Sequence, residues 1–157
     1  MYLTYVAGWW DVCRKNNFLY VAIENHQFVT ATEAKEVIDV LKTRYPIDES
    51  RVYATGFSMG GGLVCSLLND DPTLFARALV VGASGDAGAV ADVRAEVLSY
   101  HGADDDLIPV TRVKAYAEAL CAKRPGAMKV EVLPKTGHAE SEEAAYAKQE
   151  AWKWLFR

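Results

Sequence analysis

Arg51-Val52-Tyr53-Ala54-Thr55-Gly56-Phe57-Ser58-Met59-Gly60-Gly61-Gly62-Leu63-Val64 is the stretch whose reading decides the fold. Its opening, Arg51–Thr55, is a short run rich in strand formers. Its end, continued by Leu67 and Leu68, places apolar side chains at helical spacing. Between the two stands Gly-x-Ser-x-Gly. Strand, Gly-x-Ser-x-Gly, helix is the context a nucleophile elbow requires. The turn through Ser58 is so sharp that side chains two residues either way would clash. Gly56 and Gly60 are therefore expected to supply bare backbone. The turn lifts the Ser58 hydroxyl out of the sheet. It also aims the Met59 N–H, at the start of the new helix, to where an oxyanion would form. The bland alternative is a glycine-rich turn with an incidental serine; the strand before and the helix after favour the elbow.

A nucleophilic serine needs a base, and the base needs an orienter. The chain has three histidines. His138 lies in Pro134-Lys135-Thr136-Gly137-His138-Ala139, a turn after the strand-like Lys129–Leu133, free to reach into a cleft. His101 ends the strand-like Glu96–Tyr100 and is expected to pack or hydrogen-bond there. His26 follows Phe18–Ile23; it could line a pocket, though a solvated loop is the better expectation. The acid candidates are Asp104, Asp105 and Asp106. Three adjacent aspartates on a turn are usually a solvated acidic loop, and they lack the alternation of a calcium loop. Here they stand between the elbow and His138, which gives the chain order Ser, Asp, His.

Four segments carry a family resemblance: Gly56–Gly62, His101-Gly102-Ala103-Asp104-Asp105-Asp106-Leu107-Ile108-Pro109, Thr136-Gly137-His138, and the closing Glu150–Phe156. In these the chain resembles α/β-hydrolase-fold carboxylesterases, in particular polyhydroxybutyrate depolymerase-like and feruloyl or acetylxylan esterase-like enzymes. The resemblance implies a His-Gly-x-x-Asp-x-x-x-Pro pattern around the catalytic acid. That pattern puts the acid at Asp105, with Asp106 where relatives often have proline. It also implies several strands before the first one here, and a His-Gly-rich loop giving a second oxyanion donor. This sequence has no counterpart to either, and is expected to correspond to the C-terminal part of the fold.

The 157 residues suit a single domain, residues 1–157. A formal charge of −4 without a basic stripe argues against nucleic acid as a partner. No apolar run approaches the ~20 residues of a membrane span. Met1-Tyr2-Leu3-Thr4-Tyr5 does not open like a signal peptide. The chain as it stands is expected to be cytoplasmic, or secreted if a signal precedes it. Cys13, Cys65 and Cys121 are too scattered for a disulfide framework or a zinc cluster, so no metal site is expected. Cys65 and Cys121 read as buried thiols.

Strand and helix alternate along the chain, which implies a parallel sheet with helices on both faces. Helices are expected over Trp9–Asn16, from the capping box Thr30-x-x-Glu33 to Pro46, over Met59–Asn69, from Pro109 to Pro125, and over Glu142–Phe156. The second should bury Ala34, Val37, Ile38 and Leu41. The fourth should bury Val113, Tyr116, Ala117 and Leu120. The last should bury Ala144, Ala147, Ala151, Trp154 and Leu155. Strands are expected at Phe18–Ile23, Arg51–Thr55, Ala76–Gly82, Glu96–Tyr100 and Lys129–Leu133. The fold class is thus α/β: a minimal or N-terminally truncated α/β-hydrolase fold of about five mostly parallel strands. With the strand beside the elbow strand missing, Tyr2–Val6 or a partner chain could pair there. A homodimer or higher homo-oligomer is expected.

The function expected is ester hydrolysis without a cofactor, on small acyl or hydroxycinnamoyl esters. Ser58 attacks, His138 is the base, Asp105 orients it, and Met59 N–H binds the oxyanion. Phe57, Trp9 and His26 are candidate substrate contacts. Two other readings remain: a serine peptidase of the prolyl-oligopeptidase type, and a catalytically silent fragment that dimerises or binds a ligand.

Overall fold

The computed structural model describes residues 13–15, 17–23 and 29–157. Trp9, His26 and Tyr2–Val6 lie outside the described residues. Of the helix expected over Trp9–Asn16, residues 13–15 are described and are helical.

Helix α1 (Ala31–Arg44) starts at the expected capping box. The Thr30 hydroxyl accepts the Glu33 N–H (3.2 Å), and the Glu33 carboxylate accepts the Thr30 N–H (2.8 Å). It stops at extended Tyr45, the residue before proline. Strand β1 (Tyr53–Phe57) leads through Ser58 into α2 (Met59–Asp70). Then follow β2 (Arg77–Val81), a short turn of 3₁₀-helix at Ala87–Ala89, and β3 (Glu96–Gly102). Helix α3 (Val110–Lys123), β4 (Met128–Leu133), α4 (His138–Tyr146) and α5 (Gln149–Leu155) complete the described chain.

The four strands are parallel and lie in chain order, β1-β2-β3-β4. Alternation along the central strands feeds two apolar layers. Ala78, Val80 and Val97 point to the side covered by α1, α2 and α3, where Leu68, Tyr116 and Leu120 are fully buried. Leu79, Val81, Leu98 and Tyr100 point to the side covered by α4 and α5, with Ala145, Ala151 and Leu155. Both faces of β2 are therefore dry, which is why Leu79-Val80-Val81 reads as an unbroken apolar run.

Several expectations change. Phe18–Ile23 does not join the sheet. Its apolar residues act as separate anchors instead. Phe18 packs its ring on Phe156 (4.9 Å) and Tyr53 (5.8 Å), while Leu19 and Val21 are exposed. Among the described residues β1 is thus an outer strand. On α1 only Ala34 is fully buried, and Val37 faces solvent. Pro109 caps α3 rather than opening it, and the four residues expected to face inward are all buried. The single final helix is two. It breaks at Ala147–Lys148, where Lys148 is extended, so Ala147 is exposed and Tyr146 is buried in its place. Among the described residues no helix is long and apolar enough to cross a membrane. Cys65 is buried, which pushes its thiol up to about 12; Cys121 is half-buried.

Candidate active site

The elbow is present, and it is strained where it should be. Ser58 has φ 51° and ψ −117°, a conformation that costs an L-residue about 1–3 kcal/mol. Main-chain bonds hold it there: Ser58 N–H donates to Val81 O (3.0 Å), and Gly62 N–H donates to Ser58 O (2.9 Å). The glycines divide the work differently from expectation. A Cβ on Gly56 would lie 2.3 Å from the Gly60 carbonyl carbon, so that glycine is obligatory. A Cβ on Gly60 meets nothing within 4 Å among the described residues. The second tight position is Gly61. There a Cβ would come within 2.6 Å of Ala83 Cβ and 2.9 Å of Gly56 O. The close approach is between the first turn of α2 and the loop after β2, so it falls one residue later.

Three side chains from three loops converge above the carboxyl ends of the strands, where open α/β sheets place their sites. Ser58 follows β1, Asp105 follows β3, and His138 is the first residue of α4, after β4. His138 Nε2 lies 2.9 Å from Ser58 Oγ, and His138 Nδ1 lies 2.7 Å from Asp105 Oδ2. Asp105 is the buried member of the acidic run, while Asp104 and Asp106 are exposed. Its Oδ1 accepts the N–H groups of Leu107 (3.0 Å) and Ile108 (2.8 Å). Burial alone would push the Asp105 carboxyl up. The Ile108 N–H, the His138 imidazole and the Leu107 N–H together outweigh it and hold the carboxyl below the usual range.

The loop that carries Asp105 and the loop that leads to His138 are zipped together. Ala103 N–H donates to Leu133 O (2.9 Å) and Asp104 N–H to Thr136 O (3.0 Å). A Cβ on Gly102 would sit 2.3 Å from Thr136 O, so the glycine of the His-Gly pair is what lets the loops touch. Ser141, fully buried, donates from Oγ to His138 O (2.6 Å) and ties His138 to its own helix. The ring of Phe57 lies against the His138 imidazole, centroids 5.0 Å apart, and is half-buried. Met59 is exposed at the lip, one residue past the serine.

Of the residues singled out in the sequence, the structure brings together Ser58, His138 and Asp105 of the acidic run. The sequence did not reveal that Phe57 backs the imidazole, that Gly102 joins two loops, or that Ser141 holds His138. Of these only the glycine next to His101 left a mark in the sequence. A cavity of about 480 Å³ lies at the opposite, amino-terminal end of the strands, lined by Arg51, Tyr53, Arg77, Glu96 and Phe156 among others. It touches none of the three converging residues.

Comparisons place this arrangement among known proteins. The crystal structure of a thermostable esterase matches with a TM-score of 0.69 and 29% identity, over 78% of this chain and 35% of the other. SOBER1 from Arabidopsis thaliana matches with a TM-score of 0.63 and 18% identity, over 80% of this chain and 62% of the other. An acylaminoacyl peptidase from Pyrococcus horikoshii matches with a TM-score of 0.65 and 15% identity, over 80% of this chain and 27% of the other. The last two likenesses show the shared fold alone. The chain spans about a third of the thermostable esterase and under two thirds of the plant protein. None of the curated proteins compared matches it. The model of the dienelactone hydrolase family matches residues 20–156, from before the sheet to the end of α5, and the chain belongs to that family.

Proposed function

We propose that this chain carries the catalytic core of a serine carboxylic ester hydrolase working through an acyl-enzyme. The observation that carries the reading is the His138 imidazole, hydrogen-bonded to Ser58 Oγ on one nitrogen and to buried Asp105 on the other. A histidine shared in that way is the arrangement a serine nucleophile needs.

In this reading His138 Nε2 takes the Ser58 proton as Oγ attacks the ester carbonyl carbon. The carbonyl oxygen becomes an oxyanion, met by the Met59 N–H at the start of α2. Collapse breaks the ester C–O bond, and the alkoxide leaves with the proton from His138 Nε2. Water then attacks the acyl-Ser58 carbonyl, giving up a proton to His138; the C–Oγ bond breaks as His138 returns that proton to Ser58 Oγ, and the carboxylic acid departs. Asp105 accepts the Nδ1–H throughout, fixing the tautomer and offsetting the imidazolium charge. Small acyl esters are the proposed substrates, with hydroxycinnamoyl esters as the larger members of the class.

Hydrolysis of p-nitrophenyl esters of graded chain length, by wild type and Ser58→Ala side by side, tests the reading. Wild type should turn over the short esters, and Ser58→Ala should lose at least about 10³-fold in kcat. A fluorophosphonate should label Ser58 and no other serine. Label on Ser66 or Ser84, or an active Ser58→Ala, ends the proposal.

A further inference from the structure

His101 stands fully buried near the end of β3, four residues before Asp105. Its Nε2 lies 2.7 Å from Ile108 O and 3.3 Å from Asp105 Oδ2. Both neighbours are acceptors, so Nε2 carries a hydrogen and shares it between them. Its Nδ1 is buried with no hydrogen-bond partner among the described residues. The ring's polar contacts are thus spent on one nitrogen and on one loop.

That loop is held at its entry by the Ala103 and Asp104 N–H groups, which donate to Leu133 O and Thr136 O. Between β3 and α3, Ala103, Asp104, Asp106, Leu107 and Pro109 are exposed, and Leu107 is 67% exposed despite its apolar side chain. At the loop's exit Ile108 makes the apolar contact, partly buried against the core. Asp105 Oδ1 draws the turn in by taking the N–H groups of Leu107 and Ile108. The loop's exit is fixed where His101 grips the Ile108 carbonyl, immediately before Pro109 turns the chain into α3.

We propose that His101 is a positioning residue for the acid: its Nε2–H clamps the 105–108 loop shut and keeps Asp105 Oδ2 aimed at His138 Nδ1. The geometric claim stands on these distances; its kinetic consequence rests on the ester-hydrolase reading above. Loss of the hydrogen frees the Ile108 carbonyl and takes a second donor from the carboxylate. The His138–Asp105 bond then flickers, and the base is misoriented in part of the population.

The test compares His101→Gln, whose amide nitrogen stands where Nε2 stood, with His101→Leu, which keeps a similar volume and has no donor. The first readout is the far-downfield proton resonance of His138 Nδ1–H bonded to Asp105, which needs no substrate. The second is kcat and KM on p-nitrophenyl acetate. The resonance should persist in wild type and His101→Gln and broaden away in His101→Leu. In His101→Leu kcat should fall roughly tenfold or more, with KM little changed, and His101→Gln should recover most of it. Should the Leu variant not fold, His101→Asn, whose amide does not reach Ile108 O, takes its place with the same expectation. Equal loss in Gln and Leu, or a Leu variant retaining both resonance and kcat, overturns the proposal and leaves His101 a packing residue. A wild type that shows the resonance yet hydrolyses no ester and takes no fluorophosphonate defeats the ester-hydrolase reading. The resonance comparison then decides His101 by itself.

Discussion

A methyl group added at residue 56 and one added at residue 60 meet opposite fates. The first strikes main chain at 2.3 Å; the second finds open space among the described residues. Gly56→Ala should destabilise the protein by about 3 kcal/mol or more, because no flexible side chain can give way. Gly60→Ala lies in the first turn of α2 and should be neutral, or stabilising by up to about 1 kcal/mol. Urea unfolding of the two variants checks both. The acidic turn separates in the same manner. Asp105→Asn should lower kcat about 10³–10⁴-fold, since an amide no longer fixes the His138 tautomer. Asp104→Asn and Asp106→Asn should change it little. Asp105 also contributes to stability with a defined sign. Its folded-state pKa is depressed, so the contribution is fully present above the ordinary carboxylate range and lost as pH falls through the folded value. The unfolding free energies of wild type and Asp105→Asn should differ most near neutral pH and converge below about pH 4. At this scale Ser58 and His138 could be singled out because Gly-x-Ser-x-Gly and the chain order Ser, Asp, His mark them in the sequence. The clash at Gly61 could not, because Ala83 reaches it only through the sheet.

The break between α4 and α5 belongs to the next scale. The apolar spacing from Glu142 to Phe156 runs on without glycine or proline, and by pattern it is one helix. Tertiary contacts cut it in two. The Trp152 indole Nε1–H donates to Tyr146 O (2.9 Å), and the two rings stack at 5.4 Å. The Tyr146 hydroxyl meets Thr55 Oγ1 (2.9 Å) on the elbow strand. Neither bond is written in local sequence. Trp152→Phe keeps a ring for the stack and loses the donor, so it should cost about 0.5–1.5 kcal/mol by thermal unfolding and leave kcat unchanged. Phe18–Ile23 teaches the converse. Its residues fit a strand, yet it leaves the outer edge of β1 and packs through Phe18 on Tyr53 and Phe156 instead. The strands β2, β3 and β4 and helix α3 were legible because burial on both faces, or on one stripe, is periodic in the sequence itself.

For the whole molecule, the sheet follows from alternation, and the site follows from the sheet: every converging residue leaves the same end of a strand. Less legible was how the loops bear on one another: Gly102 meets Thr136 across segments that no local pattern links, and the pattern that spans His101 to Pro109 does not reveal the bond from His101 to Ile108. The strand order carries a further consequence. Among the described residues each strand pairs only with its neighbours in the chain, so a ribosome delivers them in their spatial order. Ser58 emerges first, and its partner His138 follows 80 residues later. At the usual pace of synthesis that interval is roughly 4–16 s. Throughout it the nascent chain carries only an ordinary alcohol. On the proposed reading, activation of Ser58 waits for His138, which follows the last of these strands.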